Sequence, residues 1–200
     1  QGTIQIDNDI NLGSLNPLFS GAVIIQNGTL QLTALLLSAR PFSLTGNATL
    51  DIQFHTANLS GQISGNGSLT VLGTSTLTLS PSSANTYSGG TTINTATVDI
   101  TAIGGTDSAL GNPSSPVNML NGATLIMHAT ADMSSNRPFT LQGSSDLTIE
   151  TEVGLGNTLT MNGAITGGGK LKKTGSGNLW LKGTNSYTGG TLVSSHTLFG

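Results

Sequence analysis

"GSGNLWLKGTNSYTGGTLV", Gly175 to Val193, is almost free of charge, dense in Gly, Thr and Asn, and holds the only Trp of the chain. Its glycines invite a ligand-loop reading. A phosphate loop needs Gly-Lys-Ser/Thr leading into a helix, and a dinucleotide fingerprint needs strand, turn and helix. Here the glycines lead into Leu179-Trp180-Leu181. That alternation has the period of two expected of a strand with one buried face. The glycines therefore mark tight corners between short strands.

The stretch also occurs in a second form. "ITGGGKLKKTGSGNLWL" (Ile165 to Leu181) matches "ISGNGSLTVLGTSTLTL" (Ile63 to Leu79) at a shift of 102. "NSYTGGTLV" (Asn185 to Val193) matches "NTYSGGTTI" (Asn85 to Ile93) at a shift of 100. Upstream, "NRPFTLQGSSDLTI" (Asn136 to Ile149) matches "ARPFSLTGNATLDI" (Ala39 to Ile52) at a shift of 97. The chain divides into two units, 1–95 and 96–200, and its first and last strands fall in the same slot of the unit. Short strands in long repeats fit a sandwich or a solenoid, and the repeat favours the solenoid, whose coils bury their apolar faces by stacking. At roughly 20–25 residues per coil, 200 residues give roughly 8–10 coils and a rod roughly 40 Å long. The prediction is one continuous all-β solenoid with inward Leu, Ile and Val and outward Thr, Ser and Asn.

Composition agrees and narrows the function. Charged residues are 8% of the chain, and the net charge is −3. No basic footprint for nucleic acid exists. No apolar run is long enough to span a bilayer as a helix. Cys is absent, so neither disulfides nor thiolate metal sites are available.

"GGGKLKKTGSGNLWLKGTNSYTGGTLV" resembles the passenger-associated repeat of bacterial autotransporters. The second unit carries that motif at Gly169, Leu171, Lys173, Leu179, Leu181, Asn185, Tyr187, Gly189, Gly190 and Thr191. The first carries it at Gly67, Leu69, Leu77, Leu79, Asn85, Tyr87, Gly89, Gly90 and Thr91, and departs at Val71, Ser75 and Pro81. The resemblance implies a right-handed parallel β-helix at the bacterial cell surface or outside the cell. It implies attachment to the membrane only through a C-terminal outer-membrane barrel that this sequence does not contain, and no cofactor. The function expected is non-enzymatic: an adhesive surface protein, a stalk or a fibre module. Two partners are expected, a second copy stacked head to tail or surface glycans. The alternative is a β-helical polysaccharide-degrading enzyme or a glycan-binding module.

Few residues offer chemistry. Glycoside cleavage needs paired acids, and two pairs stand two residues apart: Asp7 with Asp9, and Glu150 with Glu152. Each is read as sharing one strand face, and neither pair recurs in the other unit. Asp7-Asn8-Asp9 lacks the Gly and distal Glu of a calcium loop. His55, His128 and His196 fall in unrelated slots, so no catalytic or metal site is assigned. Arg40-Pro41-Phe42 and Arg137-Pro138-Phe139 recur at equal places; Phe is expected inward and Arg is expected to hold turn carbonyls. Thr-rich strands raise the option of an ice-binding face, set aside because Thr is not regular from unit to unit. The remaining candidate contact is Trp180, expected outward, with the lysines Lys170, Lys172 and Lys182 around it.

Overall fold

The computed structural model describes residues 2–13, 21–101, 103, 105–129, 131–143, 146–153, 157–194 and 198–199, with the backbone alone at 129, 146–153 and 198–199. The chain winds as a parallel β-helix. Every strand pairing is parallel, and each strand pairs with strands about one coil away, not with its sequence neighbour.

The first sheet stacks eight strands: Thr3–Ile6, Thr29–Leu32, Asn47–Asp51, Ser68–Leu72, Thr91–Asn94, Val117–Leu120, Phe139–Gln142 and Ile165–Gly167. The second also stacks eight: Leu36–Ser38, Ala57–Leu59, Thr76–Leu79, Thr97–Thr101, Thr124–Ala129, Asp146–Val153, Lys170–Thr174 and Thr191–Val193. The third side begins with Val23–Ile25, Phe42–Leu44 and Ile63–Ser64, and ends with Met133–Ser135, Thr158–Met161, Asn178–Leu181 and Leu198–Phe199. Between these groups, loops carry the third side onward. Thr86 N–H donates to the Ile63 carbonyl, Asn85 N–H donates to that of Ser108, and Thr106 bridges in parallel to Ser134. With those two loop crossings the third side has nine rungs, which at a spacing of about 4.8 Å make a rod about 38 Å long, close to the length expected from the number of residues.

Alternation makes the core. Register on the first sheet places Ile4, Leu30, Leu50, Val71, Ile93, Met119 and Leu141 in one inward column. From Leu30 onward these are all buried, each contributing roughly 1.5–3 kcal/mol. At the corners the stacked backbones touch. A Cβ on Gly67 would sit 2.0 Å from the Gly46 carbonyl oxygen, and one on Gly89 would sit 2.5 Å from the Gly67 backbone. Close approach of neighbouring coils, as much as turn geometry, keeps these positions glycine.

The repeat in sequence is not a vertical repeat in space. Asn47–Asp51 and Ser68–Leu72 lie in the first sheet, whereas their counterparts Asp146–Val153 and Lys170–Thr174 lie in the second. Thr76–Leu79 lies in the second sheet and its counterpart Asn178–Leu181 on the third side. Ile63–Ser64 lies on the third side and Ile165–Gly167 in the first sheet. One unit therefore spans four coils and one strand place more.

Candidate functional site

The Asn-x-Tyr-x-Gly-Gly-Thr motif has a mechanical role. Asn85 is buried; its Oδ1 accepts from the Ile63 N–H at 2.7 Å, and its Nδ2 donates to the Ala109 carbonyl at 2.7 Å. One side chain thus ties three successive turns of chain. In the second unit Asn185 Oδ1 accepts from the Ile165 N–H at 2.9 Å. Tyr87 is fully buried with its hydroxyl 2.6 Å from Thr91 Oγ1, and burial pushes the phenol up to about 12. Tyr187 and Thr191 make the same contact at 2.5 Å. The motif's Lys173 points inward and is buried; its Nζ donates to the carbonyls of Thr174 and Gly175, reaching out of the core to turn oxygens.

The two Arg-Pro-Phe segments each hold a long loop against the rod. Arg137 is fully buried. Its Nε donates to Asp107 Oδ2 at 2.6 Å, and its Nη atoms donate to the carbonyls of Asp107, Leu110, Gly111, Asn112 and Ser115. Ser135 Oγ completes the carboxylate at 2.6 Å. Arg40 repeats this with Asp9, whose Oδ1 and Oδ2 each accept from Nε at 3.0 Å, and with the carbonyls of Asp9, Gly13 and Gly21. Both Phe42 and Phe139 are inward and buried. The planar guanidinium suits this work, because five fixed donors serve several carbonyls at once.

Asp9 therefore differs from its expected role. The strand stops at Ile6, and Asp9 opens a short 3-10 helix, Asp9–Leu12, capped by Asn8. Asp7 and Asp9 do not share a strand face, and Asp9 has a counterpart after all, Asp107 before Ser108–Leu110. The signal was present: Asp9 to Gly13 reads "DINLG" and Asp107 to Gly111 reads "DSALG".

Trp180 faces outward, 42% exposed, on the third side. Lys182 Nζ lies 3.8 Å from the centre of its ring, a close cation–π contact. Lys170 and Lys172 belong to the second sheet, around the corner formed by residues 175–177. They point to one side by alternation, as expected, but their strand is on a different face from Trp180. The sequence clusters them because it does not show that Gly175-Ser176-Gly177 turns the chain onto the next face.

A family model described as passenger-associated-transport-repeat matches residues 69–100 and 171–198. The adhesin BmaC autotransporter of Brucella suis biovar 1 (strain 1330) is 36% identical over 168 residues, covering 82% of this chain and 5% of that protein. The chain belongs to the autotransporter passenger repeats. It spans about a twentieth of the relative's length, and no solved structure matches it. Passenger membership places the segment at the cell surface or outside the cell. No helix among the described residues is long and apolar enough to cross a membrane.

Several other polar groups of this passenger segment have local partners. Asp51 Oδ2 accepts from Gln31 and Gln53, Asp7 accepts from Asn8, and Asp132 accepts from the Thr158 N–H. His128 Nε2 sits 3.0 Å from Asp99 Oδ1. His55 stacks edge-on against Phe54 at 6.3 Å. Glu150 and Glu152 hold register positions opposite Ile126 and His128, and their side chains, like the whole of His196, lie outside the described residues. Among the described residues no three His, Asp or Glu converge as a metal site would require.

Threonine is more regular than the unit-by-unit comparison indicates. One outward column of the first sheet reads Thr3, Thr29, Thr49, Thr70, Thr92, Asn118, Thr140 and Thr166. The regularity follows the coil, not the unit, which is why sequence comparison missed it. The next outward column mixes Gln5, Gln31, Asp51, Leu72, Asn94, Leu120 and Gln142, so no two-column Thr lattice forms. β-Branched Thr in a half-buried pleated surface explains the single column.

Proposed function

We propose that this chain is a non-catalytic passenger segment of an adhesive surface protein, acting as a rigid stalk and contact surface. The observation that carries the reading is where the polar chemistry goes. The described buried charged side chains, Arg40, Arg137, Asp107 and Lys173, bind backbone carbonyls or one another; the two arginines fasten a loop to the neighbouring coil, and Lys173 fastens the turn that follows it. That is the chemistry of a scaffold. Similarity to a protein named an adhesin supports the same reading. Two assays test it. Incubation with a panel of polysaccharides should release no reducing ends, and release of sugar would overturn the non-catalytic part. Beads coated with the chain should be retained on glycan-bearing cell layers; retention no greater than that of uncoated beads would overturn the adhesive part and leave a stalk.

The contact surface we favour is Trp180 with Lys182. An exposed indole offers an apolar face to a sugar ring or a neighbouring side chain, and the adjacent ammonium adds a charge for an acidic group. Lys170 and Lys172 would extend it only to a partner that bends round the corner. Trp180→Thr, the residue type of its counterpart Thr78, should lower bead retention; unchanged retention would remove the site.

A further inference from the structure

Equivalent elements of this chain face different sides of the rod. Asn85 to Gly90 crosses the third side, where Thr86 and Ser88 donate to the carbonyls of Ile63 and Gly65. Asn185 to Gly190 crosses the first-sheet side, where Ser186 and Thr188 donate to the carbonyls of Ile165 and Gly167. The Arg-held loops move in the same sense. The segment Asp9–Gly13 held by Arg40 comes after the first-sheet strand Thr3–Ile6 and before the third-side strand Val23–Ile25, so it takes the second-sheet place. The loop held by Arg137 runs from the second-sheet strand Thr97–Thr101 to the first-sheet strand Val117–Leu120, so it fills the third-side place. Loops, motif and strands all advance by one face per unit.

We infer that a passenger continuing this unit displays its contact elements as a spiral, one face further round with each unit. The same face returns after three units, about thirteen coils or roughly 62 Å along the axis. This rests on the reading of the chain as a passenger segment with further units. It fixes the kind of partner such a passenger fits. A flexible chain that winds round the rod meets the equivalent element of every unit. A flat partner lying along the rod meets that of every third unit only.

The chain lacks Cys, so introduced cysteines give clean labelling sites. Spin labels at Thr70→Cys and Thr166→Cys lie in one outward column four rungs apart, and should read about 19 Å between the backbone sites. Labels at Ser88→Cys and Thr188→Cys occupy equivalent motif positions on different sides. Those sites lie about 21 Å apart along the axis and about 10 Å across it, so they should read about 23 Å, roughly 4 Å longer than the same-column pair. A Ser88–Thr188 distance no longer than the same-column distance would overturn the inference. A second experiment appends one more copy of residues 101–200 and places gold at the three equivalent motif positions. Viewed down the rod, gold on three sides supports the spiral, and gold aligned on one side refutes it. Neither readout depends on adhesion, so loss of the adhesive reading and loss of the spiral are distinguishable.

Discussion

Arg137→Met keeps the length of a long side chain and removes every donor. Asp107, whose side chain is 2% exposed, then keeps only the Ser135 hydroxyl, and five loop carbonyls lose their shared cation. Breaking a buried pair by removing one partner costs about 3–5 kcal/mol. A solenoid contacts itself only through neighbouring coils, so the cost falls first on local opening of the loop. Hydrogen exchange reads that opening. The amides of Leu110, Asn112 and Ser115 donate to the carbonyls of Asp107, Tyr87 and Asn112. At about 1.4 kcal/mol per tenfold, their exchange should quicken by roughly a hundredfold to a few thousandfold. The Thr49 amide, in a first-sheet strand away from the loop, should be unchanged. Arg40→Met should accelerate exchange less at Gly13, whose amide donates to the Ile10 carbonyl, because Asp9 is 20% exposed and water can replace part of the pair. Acceleration below tenfold around Ser115 would refute the claim that Arg137 holds the loop.

Other outcomes follow from the same contacts. Burial raises the Tyr87 phenol to about 12 from the ordinary 10.0, so its neutral form stabilises the fold below pH 10, and that stability is lost as pH rises from 10 to 12. The loss is about 3 kcal/mol; alkaline unfolding of Tyr87→Phe should lack it, and an identical pH profile would contradict the buried placement. Asn85→Ala should cost about 1–3 kcal/mol by leaving a buried amide and carbonyl unmet, with Asn185→Ala costing less in the same urea titration. Gly67→Ala must displace backbone, since its Cβ would meet the Gly46 oxygen at 2.0 Å; a loss of about 1–3 kcal/mol or more is expected by thermal melting. Trp180→Thr should change stability by no more than about 0.5 kcal/mol, so any lost adhesion would report contact and not unfolding.

Much of this architecture can be read from residues. Leu77-Thr78-Leu79 and Leu179-Trp180-Leu181 alternate, and the structure buries Leu77, Leu79 and Leu179 while exposing Trp180. The matching Arg-Pro-Phe segments announce inward Phe and Arg on turn carbonyls. What the sequence hides is how many turns lie between equivalent residues. Successive rungs from Thr3 to Thr29, Thr49, Thr70 and Thr92 are 26, 20, 21 and 22 residues apart. Loops set those lengths, so neither the Thr column nor the one-face advance shows as a fixed period. The same effect gathers Lys170 and Lys172 around Trp180 on paper and separates them at a corner in space. Asp9 was obscured differently. Its neighbour Asp7 suggested strand alternation, and only the short match of "DINLG" to "DSALG" reveals the loop it anchors.

The coil-on-coil register is the claim on which everything else stands, and interstrand nuclear Overhauser contacts test it directly. Parallel stacking predicts contacts linking Thr70 to Thr92 and Thr92 to Asn118, with none pairing strand Ser68–Leu72 against its sequence neighbour Thr76–Leu79. Antiparallel contacts between those two neighbouring strands would mean a sandwich of hairpins and would contradict the β-helix.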